Sequence, residues 1–284
     1  MFRPAFTVDV EEWFQVGAYE TVLNRHGWDR LESRVALQVD RVLSLLSDAR
    51  VKATFFCLGW VAGHTPHVIR TIADSGHEIA CHGLDHARVH TLTPGQFAED
   101  ITRSKKSLED VSGYAVTGYR APSFSLTDET AWAHRILAET GFLYSSSIYP
   151  VKTDHYGQDT ASRRPYRPVK DHDLVELPLT ALELFGRRWP VAGGGYFRLL
   201  PKPFGRWAFG AGIRQSGAGI FYMHPWELDP EQPDVADAPM LSRFRHRVGL
   251  SRMAGQVADL LRQHQWQTMS SLRDEALLSL AEAA

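Results

Sequence analysis

Two short stretches of the chain carry the residue types from which a divalent-metal hydrolase is built. Asp9-Val10-Glu11-Glu12 follows the apolar run Ala5-Phe6-Thr7-Val8, and His82-Gly83-Leu84-Asp85-His86 follows a second apolar run, Ile79-Ala80-Cys81. Imidazole nitrogens and a carboxylate oxygen hold such an ion and leave a position for water. With 13 histidines in 284 residues, chance alone supplies roughly 0.6 His-x-x-x-His pairs, and His86 with His90 makes a second one. Position singles out the first: it ends a strand-like run, Gly83 permits a tight turn, and carboxylates end another such run. Side chains alternate across a strand, so Asp9 and Glu11 share a face while Glu12 points the other way. Two carboxylates on one face repel unless a cation compensates them. A metal can take one and leave the other to accept a proton from bound water. Structural histidines and an exposed acidic turn are the plainer alternatives.

Two further groups lie at strand ends. Arg120 follows the run from Ala115 to Tyr119, where a guanidinium requires an anionic partner. Asp9 is the candidate, since a neighbouring Arg fixes a carboxylate's direction and lowers its pKa. His224 follows Ile220-Phe221-Tyr222-Met223, on a strand that barrel closure brings beside the first, and suits a general acid. A surface salt bridge and a buried structural imidazole are the respective alternatives.

These groups are positioned by short β-rich runs alternating with helical patterns, which implies βα units around a parallel sheet. Val35, Val39, Val42 and Leu46 keep helical spacing within Ser33 to Ala49, and Ala53 to Leu58 predicts a second strand. Thr65-Pro66 opens a helix ending near Gly76, and Glu78 to Cys81 makes strand three. Thr93-Pro94-Gly95-Gln96 matches a capping box opening a helix that runs to Gly113. Strand four spans Ala115 to Tyr119, a helix carries Trp132, Ile136 and Leu137, and strand five is Phe142-Leu143-Tyr144. From Tyr149 to His172 the chain is polar and basic without periodicity, a surface excursion or a substrate-gripping flap. Leu174 to Leu177 resumes the strand pattern. Gly193-Gly194-Gly195 lacks the spacing of a nucleotide loop and predicts a backbone that passes close to something, such as a sugar. A helix near Pro203 to Gln215, the strand ending at Met223, a Pro- and Asp-rich link from Asp229 to Pro239, and a helix carrying Val257, Leu260 and Leu261 complete the pattern.

A chain of 284 residues, 44% hydrophobic, suits one large α/β domain over 1–284 with a C-terminal helical extension from about 240. A net charge of -2 provides no long-range field toward nucleic acid or an anionic membrane. Cys57 and Cys81 sit in apolar runs as small hydrophobes, not as a disulfide framework. With neither an apolar leader nor a run of about 18 apolar residues, the chain is expected to be soluble and cytoplasmic, with no transmembrane segment.

In chain order, Asp9 with Glu11, His82 to His86, Arg120-Ala121-Pro122 and the strand-borne His224 resemble the motifs of the polysaccharide deacetylases, the NodB-homology domain of carbohydrate esterase family four. The likeness covers most of the chain. Thr7 to Glu11, Gly118 to Ser125, Ala192 to Arg198 and His224-Pro225-Trp226-Glu227 further resemble the branch found with exosortase and exopolysaccharide gene clusters in Gram-negative bacteria. The resemblance implies a distorted (β/α)7 barrel, active at its C-terminal strand ends, and a zinc or other divalent ion held by Glu11, His82 and His86. It implies Asp9, steered by Arg120, as the base, the Ser123 N–H with the metal as holder of the oxyanion, and His224 as the acid that protonates the departing amine. Two departures stand out. Family members usually carry adjacent aspartates, so Glu12 rivals Glu11 as the carboxylate ligand. Where sequences of this branch often read Tyr-Asp-Ser-Ser, this chain has Tyr144-Ser145-Ser146-Ser147, which leaves the carboxylate that tunes the catalytic His without an obvious counterpart.

The expected activity is metal-dependent removal of acetyl groups from N-acetylhexosamine units of a bacterial exopolysaccharide or its precursor. The partner is then an N-acetylated glycan, and Trp13, Trp60, Phe124, Tyr196 and Trp226 offer faces on which a sugar ring stacks. The rivals are a metal-independent hydrolase of a small cyclic amide or ureide on the same fold, and a glycan-binding module without turnover.

Overall fold

β1 (Ala5–Val10) is buried along its whole length, as a near-continuous apolar run requires of a central parallel strand. In this computed structural model, which describes residues 2–153 and 157–282, the chain continues through α1 (Val35–Ala49), β2 (Thr54–Cys57), α2 (Gly59–His64), α3 (Pro66–Asp74), β3 (Glu78–Cys81), α4 (Pro94–Ser112), β4 (Gly118–Tyr119), α5 (Trp132–Glu139), β5 (Tyr144–Ser145) and β6 (Val175–Glu176). β7 (Ala181–Leu184) and β8 (Arg187–Pro190) form a hairpin that leads into α6 (Gly194–Leu199), α7 (Lys202–Ser216), β9 (Ile220–Met223), α8 (Met240–Arg247), α9 (Leu250–Leu261) and α10 (Met269–Glu282).

Seven strands make one parallel sheet in the order β6-β5-β4-β3-β2-β1-β9, and the β7–β8 ribbon stands apart. The sheet curls as a distorted barrel that stays open between β6 and β9. Along that gap the Thr180 hydroxyl accepts from the Ile220 N–H at 2.7 Å, and Gly193 bridges to Tyr222. Register sets the site. Val8 lies opposite Met223, Val10 opposite Cys57, Cys57 opposite Cys81, and Cys81 opposite Tyr119. His224, His82 and Arg120, each the next residue along, therefore leave the sheet at the same C-terminal edge as Asp9 and Glu11. Beneath them α1, α3, α4 and α9 bury Val39, Leu46, Ile69, Leu108 and Leu260 against Phe55 and Phe221.

The capping box at Thr93 and Gln96 forms reciprocally, and Gly113 closes α4 in the left-handed region at φ 75°. Cys57 and Cys81 are free and buried. The hairpin departs from the predicted pattern: Phe185 and Gly186 both turn with positive φ, 55° and 70°, as a tight hairpin requires. Phe at that position gives no turn signal. The stretch from Tyr149 to His172 is irregular, with Tyr166 bridging to Glu176; residues 154–156 of it lie outside the described residues. Among the described residues, no helix is long and apolar enough to cross a membrane.

Candidate active site

Glu11, His82 and His86 bring one ligand atom each within 4.8 Å of one another. Gly83 and His86 both take left-handed backbone, at φ 82° and 63°, and so return the second imidazole toward the first. His82 Nδ1 lies 2.9 Å from the Arg120 carbonyl oxygen. That carbonyl accepts the Nδ1–H and turns the Nε2 lone pair toward the cluster. Burial pulls the His82 pKa down to about 4, with only partial opposition from Asp9, so the imidazole is neutral, as a ligand must be. Glu11 Oε2 and His86 Nε2 approach to 2.9 Å, yet Oε2 is buried without a hydrogen-bond donor. Both atoms belong to the group that converges with His82. An orphaned carboxylate oxygen beside two imidazoles fits a divalent cation. Burial pushes the Glu11 carboxyl up, but His86 and His224 more than reverse it and hold the pKa at about 2. Glu12 turns away as strand alternation predicts: it accepts from the Ser33 hydroxyl and from the Arg34 N–H at the start of α1.

Arg120 Nη1 donates to Asp9 Oδ1 at 2.6 Å, and both residues are buried. The same nitrogen reaches Thr7 Oγ1 at 2.8 Å, while Nε and Nη2 donate to the carbonyl and hydroxyl oxygens of Ser146, each at 3.2 Å. Ser147 Oγ accepts from the Ala121 N–H at 2.9 Å. Ser145-Ser146-Ser147 is therefore the cradle that orients the Arg120 segment. With the guanidinium 4.0 Å from the Phe56 ring centroid, Asp9 is held on one side of the cluster in a fixed direction.

His224 also borders the cluster. Its Nδ1 lies 3.0 Å from Glu227 Oε1, and Glu227 Oε2 accepts from Arg198 Nε at 2.8 Å. Its Nε2 faces Glu11 Oε1 at 3.6 Å. Burial lowers the His224 pKa, but Glu11 and Glu227 outweigh it and raise the value to about 9. The carboxylate without an obvious counterpart thus has one in Glu227, on the short 3-10 turn Pro225–Leu228. Glycines 193 and 194 are explained by the same contact. A Cβ at Gly194 would lie 2.2 Å from the Glu227 carboxylate, and one at Gly193 would lie 2.5 Å from the Tyr222 hydroxyl. The close approach that these two glycines permit is to these side chains.

Asp9, Glu11, His82, His86, Ser123, Phe124, Tyr222, His224 and Trp226 line one cavity of about 380 Å³. Ser123 and Phe124 take left-handed backbone at φ 53° and 48°, a strain that only surrounding structure sustains in non-glycine residues. Among the described residues no carbonyl or side chain accepts from the Ser123 N–H. Trp13 and Trp60 lie off the cavity, packed edge-on against Phe14, and Trp60 also against Trp28. Tyr196 is not on its wall either. The Arg88–Glu20 pair, and Ser242, Arg245 and His246 of α8, also lie on the wall. No local pattern marks them.

A family model described as polysaccharide deacetylase matches residues 33–144, which include His82, His86 and Arg120. A second, described as a domain of unknown function, matches 146–274, which include His224 and Glu227. The peptidoglycan deacetylase of Helicobacter pylori is 29% identical over 154 residues, 49% of this chain and 52% of that protein. The chain spans about half the length of that relative. The crystal structure of a putative polysaccharide deacetylase from Mycobacterium smegmatis superposes with a TM-score of 0.67 at 24% identity, covering 97% of this chain and 90% of that one. Puue allantoinase superposes at 0.59 and 15% identity, covering 95% and 88%. At these identities the two structures show a shared fold. The motif-bearing strand ends lie within the match or on the sheet it helps to form, and residues 33–144 carry a polysaccharide deacetylase domain.

Proposed function

We propose that the protein hydrolyses the acetamide of N-acetylhexosamine units in a bacterial exopolysaccharide or its precursor, releasing acetate and leaving a free amine. One observation carries this reading: Asp9, held by Arg120, and His224, held by Glu227, line one cavity together with the Glu11, His82 and His86 cluster. A zinc or other divalent ion on those three residues would supply the Lewis acidity that polarises an amide carbonyl and acidifies water. Asp9, held at 2.6 Å by Arg120, is placed to take the proton from attacking water. The Ser123 N–H is the donor for the oxygen that gains charge. His224, whose Nδ1 lies 3.0 Å from Glu227 Oε1, is placed to give a proton to the departing nitrogen. Glu227 stabilises that imidazolium. Phe124, Tyr222 and Trp226 suit the apolar face of a pyranose, and the Helicobacter pylori relative's name supports an N-acetylated glycan. Both halves of the chain supply the site, which supports reading 1–284 as one catalytic unit with a helical extension from about 240.

The test is acetate release from N-acetylglucosamine oligomers in the presence of zinc. Asp9→Asn and His82→Ala should each abolish it, and unchanged release in both rejects the site. Chelator-resistant turnover of a cyclic ureide, with none on sugars, would replace the glycan by a small amide.

A further inference from the structure

α8 stands between the cavity and solvent. On its inner side Ser242, Arg245 and His246 line the cavity, and the buried His246 ring is 2.8 Å from Gln232 Oε1. Its outer side is apolar: Met240, Leu241 and Phe244 are 83%, 58% and 58% exposed. At about 100° per residue these three occupy a single sector about 100° wide, bordered by Arg243 and Arg247 on one side and Arg245 on the other. From Met240 to Ala258 the chain carries four arginines and neither Asp nor Glu. Of the carboxylates that precede the helix, Asp234 is paired with Arg243 and Asp237 is exposed.

An apolar sector bordered by arginines on both sides, on a helix without a carboxylate, matches what a lipid interface requires. The apolar side chains enter the acyl boundary and the guanidinium groups meet headgroup phosphates. The near-zero net charge does not oppose this, because such attraction acts within a Debye length of the surface. Self-association through the same sector would set arginine rows of two copies side by side, which like-charge repulsion disfavours. We propose that α8 docks the protein on an anionic phospholipid surface through Met240, Leu241 and Phe244. The cavity wall then lies next to the bilayer, and the substrate is the glycan portion of a lipid-anchored molecule. That last step rests on the deacetylase reading; the docking does not.

The full-length protein is sedimented with vesicles of phosphatidylcholine alone and of phosphatidylcholine mixed with phosphatidylglycerol. It should pellet with the mixed vesicles, and binding should fall by at least about tenfold on phosphatidylcholine alone, in high salt, or in the variant M240S/L241S/F244S. None of the three residues lines the cavity, so acetate release from a soluble oligomer should be unchanged in the variant. Phe244→Asp alone provides a second, smaller perturbation. Failure of the wild type to pellet with mixed vesicles, or equal pelleting of the variants, overturns the proposal. So does a wild-type dimer that the variants lose. Vesicle binding by a protein inactive on glycans would uphold docking and reject only the deacetylase reading.

Discussion

Replacing Glu227 by Gln separates the acid from the rest of the site. Gln keeps the volume and one acceptor but removes the charge that His224 Nδ1 and Arg198 Nε address at 3.0 and 2.8 Å. A hydrogen bond to a charged group is worth about 1.5–3 kcal/mol and one pKa unit about 1.4 kcal/mol. The His224 pKa, raised to about 9, should therefore drop by about one to two units. Because the folded value exceeds the ordinary 6.5, the protonated ring contributes stability that is fully present below 6.5 and is lost as pH rises through about 9. In the metal-free protein the alkaline limb of the stability curve should move down in Glu227→Gln. Arg198 keeps two carbonyl acceptors, His246 at 2.9 Å and Val248 at 2.7 Å. The loss in stability should accordingly stay under the ~3–5 kcal/mol of a fully broken buried pair. The decisive assay compares two leaving groups. An amine must be protonated to depart, whereas a phenolate need not be. Turnover of N-acetylglucosamine oligomers should fall by about 10- to 100-fold, and that of an aryl acetate by no more than about threefold. Equal losses on both, or no loss on either, would refute the acid role.

Three further outcomes follow from the same geometry. Gly194→Ala puts a Cβ 2.2 Å from the Glu227 carboxylate; it should destabilise by about 1–3 kcal/mol and reproduce the leaving-group selectivity of Glu227→Gln. His82→Ala removes one of three convergent ligands, and metal analysis of the zinc-incubated protein should show stoichiometric metal in the wild type and little in the variant. Asp100 accepts from the Leu84 N–H at 3.0 Å, and burial raises its pKa to about 6. A raised carboxyl is stabilising in its protonated form below the ordinary 3.8 and loses that advantage as pH rises through about 6. Asp100→Asn, which keeps the acceptor, should therefore be more stable than wild type by about 1–2 kcal/mol in thermal melts above that range, and no more stable below it.

The sheet was legible where burial leaves a continuous apolar run and where caps punctuate helices. β3 and β9 end where their apolar runs end, β1 continues past its run through Asp9 to Val10, and α4 begins and stops at Thr93 and Gly113. β4 and β5 shrink to two residues each. Apolar pattern reports burial, while a ladder also needs a neighbour in register. The β7–β8 hairpin escaped because its second strand reads Arg187-Arg188-Trp189-Pro190 and alternates exposed with half-buried positions. α8 opens the helical extension expected from about 240, but its apolar residues face outward, so periodicity gives no core stripe that would bound it as a separate helix.

The edge that carries the candidate site was legible because each group on it lies at or soon after the C-terminal end of a strand, and parallel register turns that sequence position into spatial proximity. For a carboxylate partner of His224, spacing points to Tyr144 to Ser147, where the chain instead has serines, of which Ser146 holds Arg120. A local rule finds it. His224-Pro225-Trp226-Glu227 places Pro at the first position of a helical turn and Glu at the third, the pattern in which a Glu side chain reaches back to the residue that opens the turn. Glu227 Oε1 does so, accepting the His224 N–H at 3.0 Å as well as facing Nδ1 at 3.0 Å. One carboxylate oxygen thus fixes both the backbone and the ring of the acid. Its other oxygen is fixed from α6, where Gly194 makes room for the carboxylate and Arg198, one helical turn later, supplies the opposing charge. Gly194 and Arg198 are therefore a single device, and its purpose is readable only once β9 brings Glu227 against it.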